Sequence, residues 1–544
     1  MFDAAAVEAW IADDVDPYAA TELTELLGRA RAGDAAAREQ LADRFAAPLG
    51  FGTAGLRGPL RAGPNGMNRT VVRRAAAGIA DWLNGRLGAA GRTVVVGYDA
   101  RHGSRDFAHD SAAIFAAAGF DARILPGALP TPVLAYAVRA LDAVLGVMVT
   151  ASHNPAQDNG YKVYTGGRGW PDDGAQIVPP IDSQIEAAIR AVGSTGAIAM
   201  SGAFATISHT LTDAYVSEVA DLAPHGPRQL SIVHTAMHGV GSVVAQRVFG
   251  AAGFLAPTVV TEQARPDPDF PTVAFPNPEE PGALDLALAA AERVDADLVI
   301  AHDPDADRCA AAIVEDGGWR VLRGDEVGAL LADDMLRRGV QGTYATTIVS
   351  SSLLRAMAQA HGQPYAETLT GFKWITRAAD DLAFGYEEAL GYAVAPDLVR
   401  DKDGISAGVV LAALAARLKA AGSSLADRLA EIAREHGLHA TDQLSVRVAH
   451  PGEIAAMMAR IRATPPATLL GATATVRDLQ PDADVVALDF AGGRAVVRPS
   501  GTEPKLKAYL EVVLPVGGPI AAVRADAATR LAALRGEVAA ALRL

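Results

Sequence analysis

The sequence predicts an α/β protein of several domains, and three observations carry that reading. The chain has 544 residues, far more than one hydrophobic core organises. Hydrophobic residues make up 50% of it, enough to fill several cores. Strand-like apolar runs alternate with helical periodicity along most of its length, the pattern of mixed or parallel sheets covered by helices. Three similar α/β units and a smaller C-terminal α+β unit account for the chain, with domains expected at 1–47, 48–203, 204–320, 321–438 and 439–544.

Residues 1–47 read as a helical extension packed on the first α/β domain. Leu23, Leu26, Leu27 and Ala30, then Leu41 and Phe45, recur at three- and four-residue spacing with a break near Gly33-Asp34, predicting two amphipathic helices between Tyr18 and Ala47. Phe51-Gly52-Thr53-Ala54-Gly55-Leu56-Arg57-Gly58 is a glycine-rich turn that leaves Arg57 as an anion clamp or a plain loop cation. Helices over Val71–Leu87, Asp106–Ala118 and Leu134–Ala140 alternate with strands over Thr93–Gly97, Ala122–Leu125 and Val144–Val149. The last strand ends in Thr150-Ala151-Ser152-His153-Asn154-Pro155, where Asn-Pro forces the chain out of regular structure. Open α/β sheets present reactive groups at such carboxyl ends. Gly160-Tyr161-Lys162 and a turn-rich stretch lead to a helix, Ile181–Val192, and a small-residue linker, Gly193–Gly202.

The second unit shows a strand at Leu230–Val233, a helix at Val240–Ala252 and a strand at Ala296–Ala301 that ends in Asp303-Pro304-Asp305-Ala306-Asp307-Arg308. The third has helices after Gly324-Asp325-Glu326, a strand at Thr343–Val349, the loop Thr370-Gly371-Phe372-Lys373, the run Tyr386-Glu387-Glu388-Ala389-Leu390-Gly391-Tyr392, and a helix over Ser406–Ala421. The last has strands at Leu444–Val448, Arg494–Val497 and Ala508–Val513, helices at Ile454–Ala463 and from Pro519, and the run Arg498-Pro499-Ser500-Gly501-Thr502-Glu503-Pro504-Lys505.

A formal net charge of -15 argues against nucleic-acid binding while leaving room for a small anion in a locally basic site. The single cysteine, Cys309, reads as a buried thiol in a reducing compartment. The acidic start, Met1-Phe2-Asp3-Ala4, is unlike a signal peptide, and the longest apolar run, Ala407–Ala416, is interrupted by Arg417 and Lys419. The expectation is a cytoplasmic protein with no membrane partner, monomeric or dimeric.

Three aspartates at alternating positions directly after a strand repel one another unless neutralised, which points to a hard, oxygen-preferring cation or else to a solvated turn. An EF-hand loop needs glycine sixth, where this turn has Arg308. Three carboxylates leave an octahedral Mg²⁺ short of ligands, and a phosphate on Ser152 supplies another. Arg57, Lys162, Arg308 and Lys373 are cations in glycine-containing or loop contexts suited to phosphoryl oxygens. Arg498, Ser500, Gly501 and Thr502 combine a forked guanidinium, hydroxyls and backbone donors, a grip for a phosphate that is held without being transferred, or a polar hairpin turn. Glu387 and Glu388 offer acceptors for sugar hydroxyls, or are an ordinary acidic pair at a helix start. At His238-Gly239-Val240-Gly241, Val244 stands where a dinucleotide fingerprint needs its third glycine, and no P-loop lysine motif occurs.

Taken in order, FGTAGLRG at 51–58, TASHNP at 150–155, GYK at 160–162, DPDADR at 303–308, TGFK at 370–373, the glutamates 387 and 388, and RPSGTEPK at 498–505 resemble the α-D-phosphohexomutase superfamily. Gly371-Phe372-Lys373-Trp374, Glu387 to Tyr392 and Asp401-Lys402-Asp403-Gly404 look most like the branch of phosphoglucomutase 2, phosphopentomutases and glucose 1,6-bisphosphate synthase, along with bacterial proteins labelled phosphomannomutase. The resemblance implies four domains around a central cleft. It makes Ser152 the phosphoserine, places Mg²⁺ on Asp303, Asp305 and Asp307 with the Ser152 phosphate, and has Arg498, Ser500 and Thr502 hold the non-reacting phosphate. Hexose-specific branches carry GEES or GEMS in the sugar loop, whereas Ala389 here lacks that hydroxyl, which puts hexose preference in doubt.

The expected activity is a phosphosugar mutase moving phosphate between C1 and the terminal hydroxyl of an aldose phosphate, with a sugar bisphosphate as intermediate and activator. His153, Lys162 and Lys373 are the candidate general bases. A bisphosphate synthase charged by an acyl phosphate and a non-catalytic sugar-phosphate binder are the alternatives.

Overall fold

In the computed structural model, which describes residues 2–52, 55–167, 173–448, 451–500 and 505–543, three helices open the chain: Ala4–Asp13, Pro17–Arg31 and Ala35–Arg44. Each is started by an aspartate, Asp3, Asp16 or Asp34, whose carboxylate accepts from a first-turn N–H. Two of the three are the expected amphipathic pair, with Leu23, Leu27 and Leu41 inside a small core of their own. The extension is pinned to the neighbouring α/β domain by Thr70, which donates to Asp14 at 2.7 Å, and by the Thr195 N–H, which donates to Asp13 at 2.9 Å.

The described residues divide into two units, Met1–Val321 with Gly391–Ala416, and Leu322–Leu390 with Arg417–Leu544. In the first unit, one sheet runs in the order Leu56–Pro59, Asp158–Thr165, Leu145–Val149, Thr93–Tyr98, Asp121–Ala128, Ala205–Thr206. From Leu145–Val149 onward the pairing is parallel, while Asp158–Thr165 pairs antiparallel with Leu56–Pro59, with Leu145–Val149 and with a short seventh strand, Ala175–Gln176. Two strands here correct the sequence reading: Arg57 lies in a strand, not in a glycine-rich turn, and Lys162 lies in a strand, not in a loop. Asp158–Thr165 is buried along nearly its whole length, so it shows no alternation of polar and apolar residues.

The second sheet runs Gly318–Val321, Cys309–Glu315, Leu298–His302, Ile232–Thr235, Thr258–Val259. Leu298–His302 is parallel to Ile232–Thr235 but antiparallel to Cys309–Glu315, so the acidic turn is the loop of a hairpin. Cys309 is buried in that second strand, and burial pushes its thiol up.

In the second unit, Thr343–Thr347 pairs parallel with Tyr365–Thr368 and with Leu382–Glu387. The C-terminal sheet is antiparallel throughout, in the order Leu438–Arg447, Lys505–Leu514, Gly493–Pro499, Val486–Phe490, Ala472–Asp478, Thr468–Leu469. Leu506, Ala508, Leu510 and Val512 alternate onto one face and pack with Met458 and Ile461 of Pro451–Ala463 and with Leu534 and Val538 of Ile520–Leu542. The other face sets Ala487, Val496 and Tyr509 against Ile348 and Val349. No single helix among the described residues is long and apolar enough to cross a membrane.

Asp325, at the start of the helix Gly324–Arg337, is buried and accepts from the Ser351 N–H at 2.7 Å and from Tyr386 Oη at 3.2 Å. Burial, with Glu388 and Glu511 adding to it, pushes its carboxyl up to about 7. The folded state therefore keeps a proton that the unfolded chain loses near pH ~4, and stability falls as pH rises from there to about 7. Asp325→Asn keeps an acceptor but not the charge. Its melting temperature is expected to gain on the wild type steadily between pH 4 and pH 8; parallel curves would refute this.

Candidate active site

Ser152 stands just past the strand Leu145–Val149 with φ of 52°, a left-handed conformation that non-glycine residues adopt only under constraint. The constraint is Arg101. Its guanidinium donates to the carbonyls of Ser152 at 2.6 Å, Asn154 at 2.5 Å, Pro155 at 2.7 Å and Asp158 at 3.1 Å. Arg101 is itself seated by Asp99 at 3.3 Å and lies under the Phe270 ring. The Ser152 N–H donates to Thr150 Oγ1 at 2.9 Å, which completes the turn.

So held, Ser152 Oγ donates to Asp303 Oδ2 at 2.9 Å and lies 3.2 Å from His153 Nδ1. Burial, aided by the Arg308 and Arg57 cations, pushes His153 well down, so the imidazole is neutral. Lys162 Nζ bridges Asp305 at 2.8 Å and Asp307 at 2.7 Å. Burial opposes its charge, but the two aspartates outweigh burial and hold the ammonium above its ordinary value. Lys402 reaches Asp307 at 3.3 Å, and Thr131 donates to Asp305 at 2.6 Å. Arg308 donates its backbone N–H to Asp303 at 3.0 Å, with its guanidinium 3.9 Å from both Asp303 and Asp307. Arg57 donates to Asn154 at 3.2 Å, and its buried Nε has no hydrogen-bond partner among the described residues.

The three aspartates are 0% exposed, and one oxygen from each lies within 4.8 Å of the others. Among the described residues, Asp305 Oδ1 and Asp307 Oδ1 are buried without a hydrogen-bond partner. Burial, then the charges of Asp305 and Asp307, push Asp303 well above the usual carboxylate range. A buried carboxylate oxygen with nothing to accept is costly, so the donor set fits a hard cation that all three can share.

Close backbone packing aims the loop. A Cβ on Gly239 would sit 2.3 Å from Pro304 Cα, and one on Gly404 would sit 2.2 Å from the Arg308 carbonyl oxygen. The glycines after Ile232–Thr235 therefore serve the acidic turn and not a dinucleotide.

The other predicted residues lie on separate elements of the second unit. Lys373 is in the short helix Phe372–Ile375 with Nζ over the Trp374 ring, Glu387 ends the strand Leu382–Glu387, and Glu388 comes directly after it. Arg498 lies near the end of Gly493–Pro499, and the Ser500 N–H donates to the Lys505 carbonyl at 2.7 Å. Gly501 and Thr502 lie outside the described residues. Sequence reasoning missed Arg101, Thr131 and Lys402 as site residues. Arg101 comes just after the strand beside that of Ser152, and the carboxyl-end rule applied to both strands finds it.

Models of the phosphoglucomutase/phosphomannomutase family match four consecutive segments: alpha/beta/alpha domain I at 48–195, II at 213–317, III at 323–435, and the C-terminal domain at 444–515. The chain belongs to this family. As a member of the α-D-phosphohexomutase superfamily it has that four-domain α/β architecture, and as a phosphosugar mutase it is an isomerase. A probable phosphomannomutase from Haemophilus influenzae is 45% identical over 82% of this chain and 93% of its own. Homo sapiens phosphopentomutase is 36% identical over 88% and 87%. Among solved structures, a putative phosphomannomutase from Thermus thermophilus superposes with a TM-score of 0.70 at 27% identity, covering 89% of this chain and 99% of that one.

Proposed function

We propose that this phosphosugar mutase carries its phosphate on Ser152 and moves it between C1 and the terminal hydroxyl of an aldose phosphate through a sugar bisphosphate. The single observation behind this reading is the juxtaposition of Ser152 Oγ, 2.9 Å from Asp303, with buried oxygens on Asp305 and Asp307 that have no hydrogen-bond partner among the described residues. Asp303, Asp305 and Asp307 would hold Mg²⁺, which when bound supplies positive charge to the phosphoryl oxygens.

Around that centre the chain's own groups divide the work. Arg57 and Arg308 present guanidinium donors to the transferring group, and Lys162 and Lys402 balance the aspartates. As the sugar hydroxyl oxygen bonds to phosphorus, the bond from phosphorus to Ser152 Oγ breaks and the hydroxyl proton must leave. Lys162 is held protonated, so His153, neutral and next to Oγ, is the better-suited acceptor of the two. Arg498 and Ser500, with Gly501 and Thr502, would grip the phosphate that is not transferring, and Lys373, Glu387 and Glu388 would bind the sugar. The bisphosphate then reorients, and Ser152 takes back the other phosphate.

For the substrate, pentose phosphates stand beside hexose phosphates. Ala389 removes one hydroxyl from the sugar loop, and a phosphopentomutase is 36% identical to the chain. Intact-mass measurement of the purified protein is expected to show one phosphate, lost on incubation with ribose 5-phosphate or glucose 6-phosphate as bisphosphate appears. A protein that never carries phosphate at Ser152, even after incubation with glucose 1,6-bisphosphate or an acyl phosphate, would refute the reading.

A further inference from the structure

Three consecutive serines, Ser350-Ser351-Ser352, come after the strand Thr343–Thr347 in the second unit, and between them they hold two carboxylates, Glu388 and Glu511. Ser350 Oγ accepts from the Glu388 N–H at 3.2 Å and donates to Glu388 Oε2 at 3.1 Å, while Thr347 Oγ1 reaches that oxygen at 3.3 Å. Ser351 Oγ donates to Glu511 Oε1 at 2.7 Å, and the Ser352 N–H donates to the same oxygen at 2.8 Å. The other Glu511 oxygen accepts from Arg494 Nε at 3.0 Å. Arg494 turns back to donate to the Ser350 carbonyl and, at 3.2 Å, to Glu367.

Ser350, Ser351, Arg494 and Glu511 are all buried. Apolar side chains would join the two sheets equally well, since burying charged groups costs desolvation that pairing offsets only when every partner is in place. What a fully paired polar network adds is one defined geometry. Arg498 lies four residues beyond Arg494 on the strand Gly493–Pro499, hence on the same face of the sheet. A continuous path therefore runs from Arg498 along its strand to Arg494, through the Ser350 backbone, to the carboxylate of Glu388.

We infer that this clasp is a substrate ruler: it fixes the span between the carboxylate that reads the sugar hydroxyls and the arginine that grips the distal phosphate. The inference rests on the proposed roles of Glu388 and Arg498 and deepens them. Ser350, Arg494 and Glu511 are positioning residues in this scheme and touch no substrate. A fixed span discriminates sugars by length, so loosening it erodes the preference between five- and six-carbon chains as well as the affinity.

The test is calorimetric titration of the full-length protein with ribose 5-phosphate and with glucose 6-phosphate, together with kcat and KM for both. Arg494→Met and the milder Ser350→Ala are each expected to weaken binding of the preferred sugar about tenfold and to bring the ratio of the two affinities at least about threefold closer to one. Arg494→Lys is expected to recover part of the ratio, and kcat to change less than KM. A general loss of stability would weaken both sugars by one common factor, and that outcome in Ser350→Ala overturns the proposal. If Glu388→Gln leaves both affinities unchanged, the sugar-loop assignment falls and the ruler with it. If Glu388→Gln weakens binding while Ser350→Ala and Arg494→Met leave the ratio unmoved, the ruler alone falls.

Discussion

Ser152→Ala is expected to cut turnover by at least about 10⁴-fold while leaving the fold intact, because the hydroxyl is the only covalent carrier in the scheme. The loss should appear in kcat with either ribose 1-phosphate or glucose 1-phosphate, and no phosphate should remain on the purified variant. Stability should fall by about 1–3 kcal/mol, because Asp303 Oδ2 loses its buried donor. Alanine meets the same left-handed strain that Ser152 bears at φ of 52°, and the Arg101 clamp acts on backbone carbonyls that the substitution leaves in place. Ser152→Gly offers a sharper contrast: it loses the same donor but adopts that conformation freely, so it should be about 1 kcal/mol more stable than Ser152→Ala and equally inactive. Turnover within tenfold of wild type in either variant would exclude Ser152 as the carrier.

Asp307→Asn has the second largest expected effect, and it acts on both metal and protein. Chelation should silence the wild type, and added Mg²⁺ should restore it. A metal present at 100 times its dissociation constant stabilises the folded state by about 2.7 kcal/mol, and the variant should lose most of that rise in melting temperature. Asp307 also pairs with Lys162 at 2.7 Å and Lys402 at 3.3 Å. Removing its charge leaves two buried ammonium groups under-compensated, so the metal-free variant should be less stable by about 3 kcal/mol. A variant that keeps the full thermal response to Mg²⁺ would take Asp307 out of the site.

The fold class and the order of units are legible because strands such as Thr93–Tyr98 and Leu298–His302 are short apolar runs separated by helices of clear period. Asp158–Thr165 is not legible, because a strand covered on both faces and interrupted by Asn159, Gly160 and Lys162 has neither alternation nor a long apolar run. The strands Ala472–Asp478 and Val486–Phe490 escape detection in a C-terminal region with weak patterning. In the site, the serine, the aspartates and Lys162 stand out because each sits in a compact local motif. Lys402 is conspicuous only as a mark of family, since nothing local in Asp401-Lys402-Asp403 says that its ammonium meets an aspartate far earlier in the chain. Arg101 belongs to no motif, because the groups it clamps are backbone carbonyls without a sequence signature, and only its place just after the strand Thr93–Tyr98 marks it.

The first unit is interrupted in sequence: Gly391–Ala416 returns to it after Leu322–Leu390 has gone elsewhere. That returning segment brings Lys402 to Asp307, Gly404 against the Arg308 carbonyl, and Gly408 beside Ile300 and Cys309. A nascent chain that has emerged only as far as Val321 therefore lacks an integral piece of its own first unit. Its acidic hairpin has one lysine in place of two, and the sheet surface at Ile300 and Cys309, against which Gly408 packs, is open to water. Translation must run past residue 416 before Ser152 has its full set of neighbours, so protein truncated earlier is a client for quality control and not a smaller enzyme.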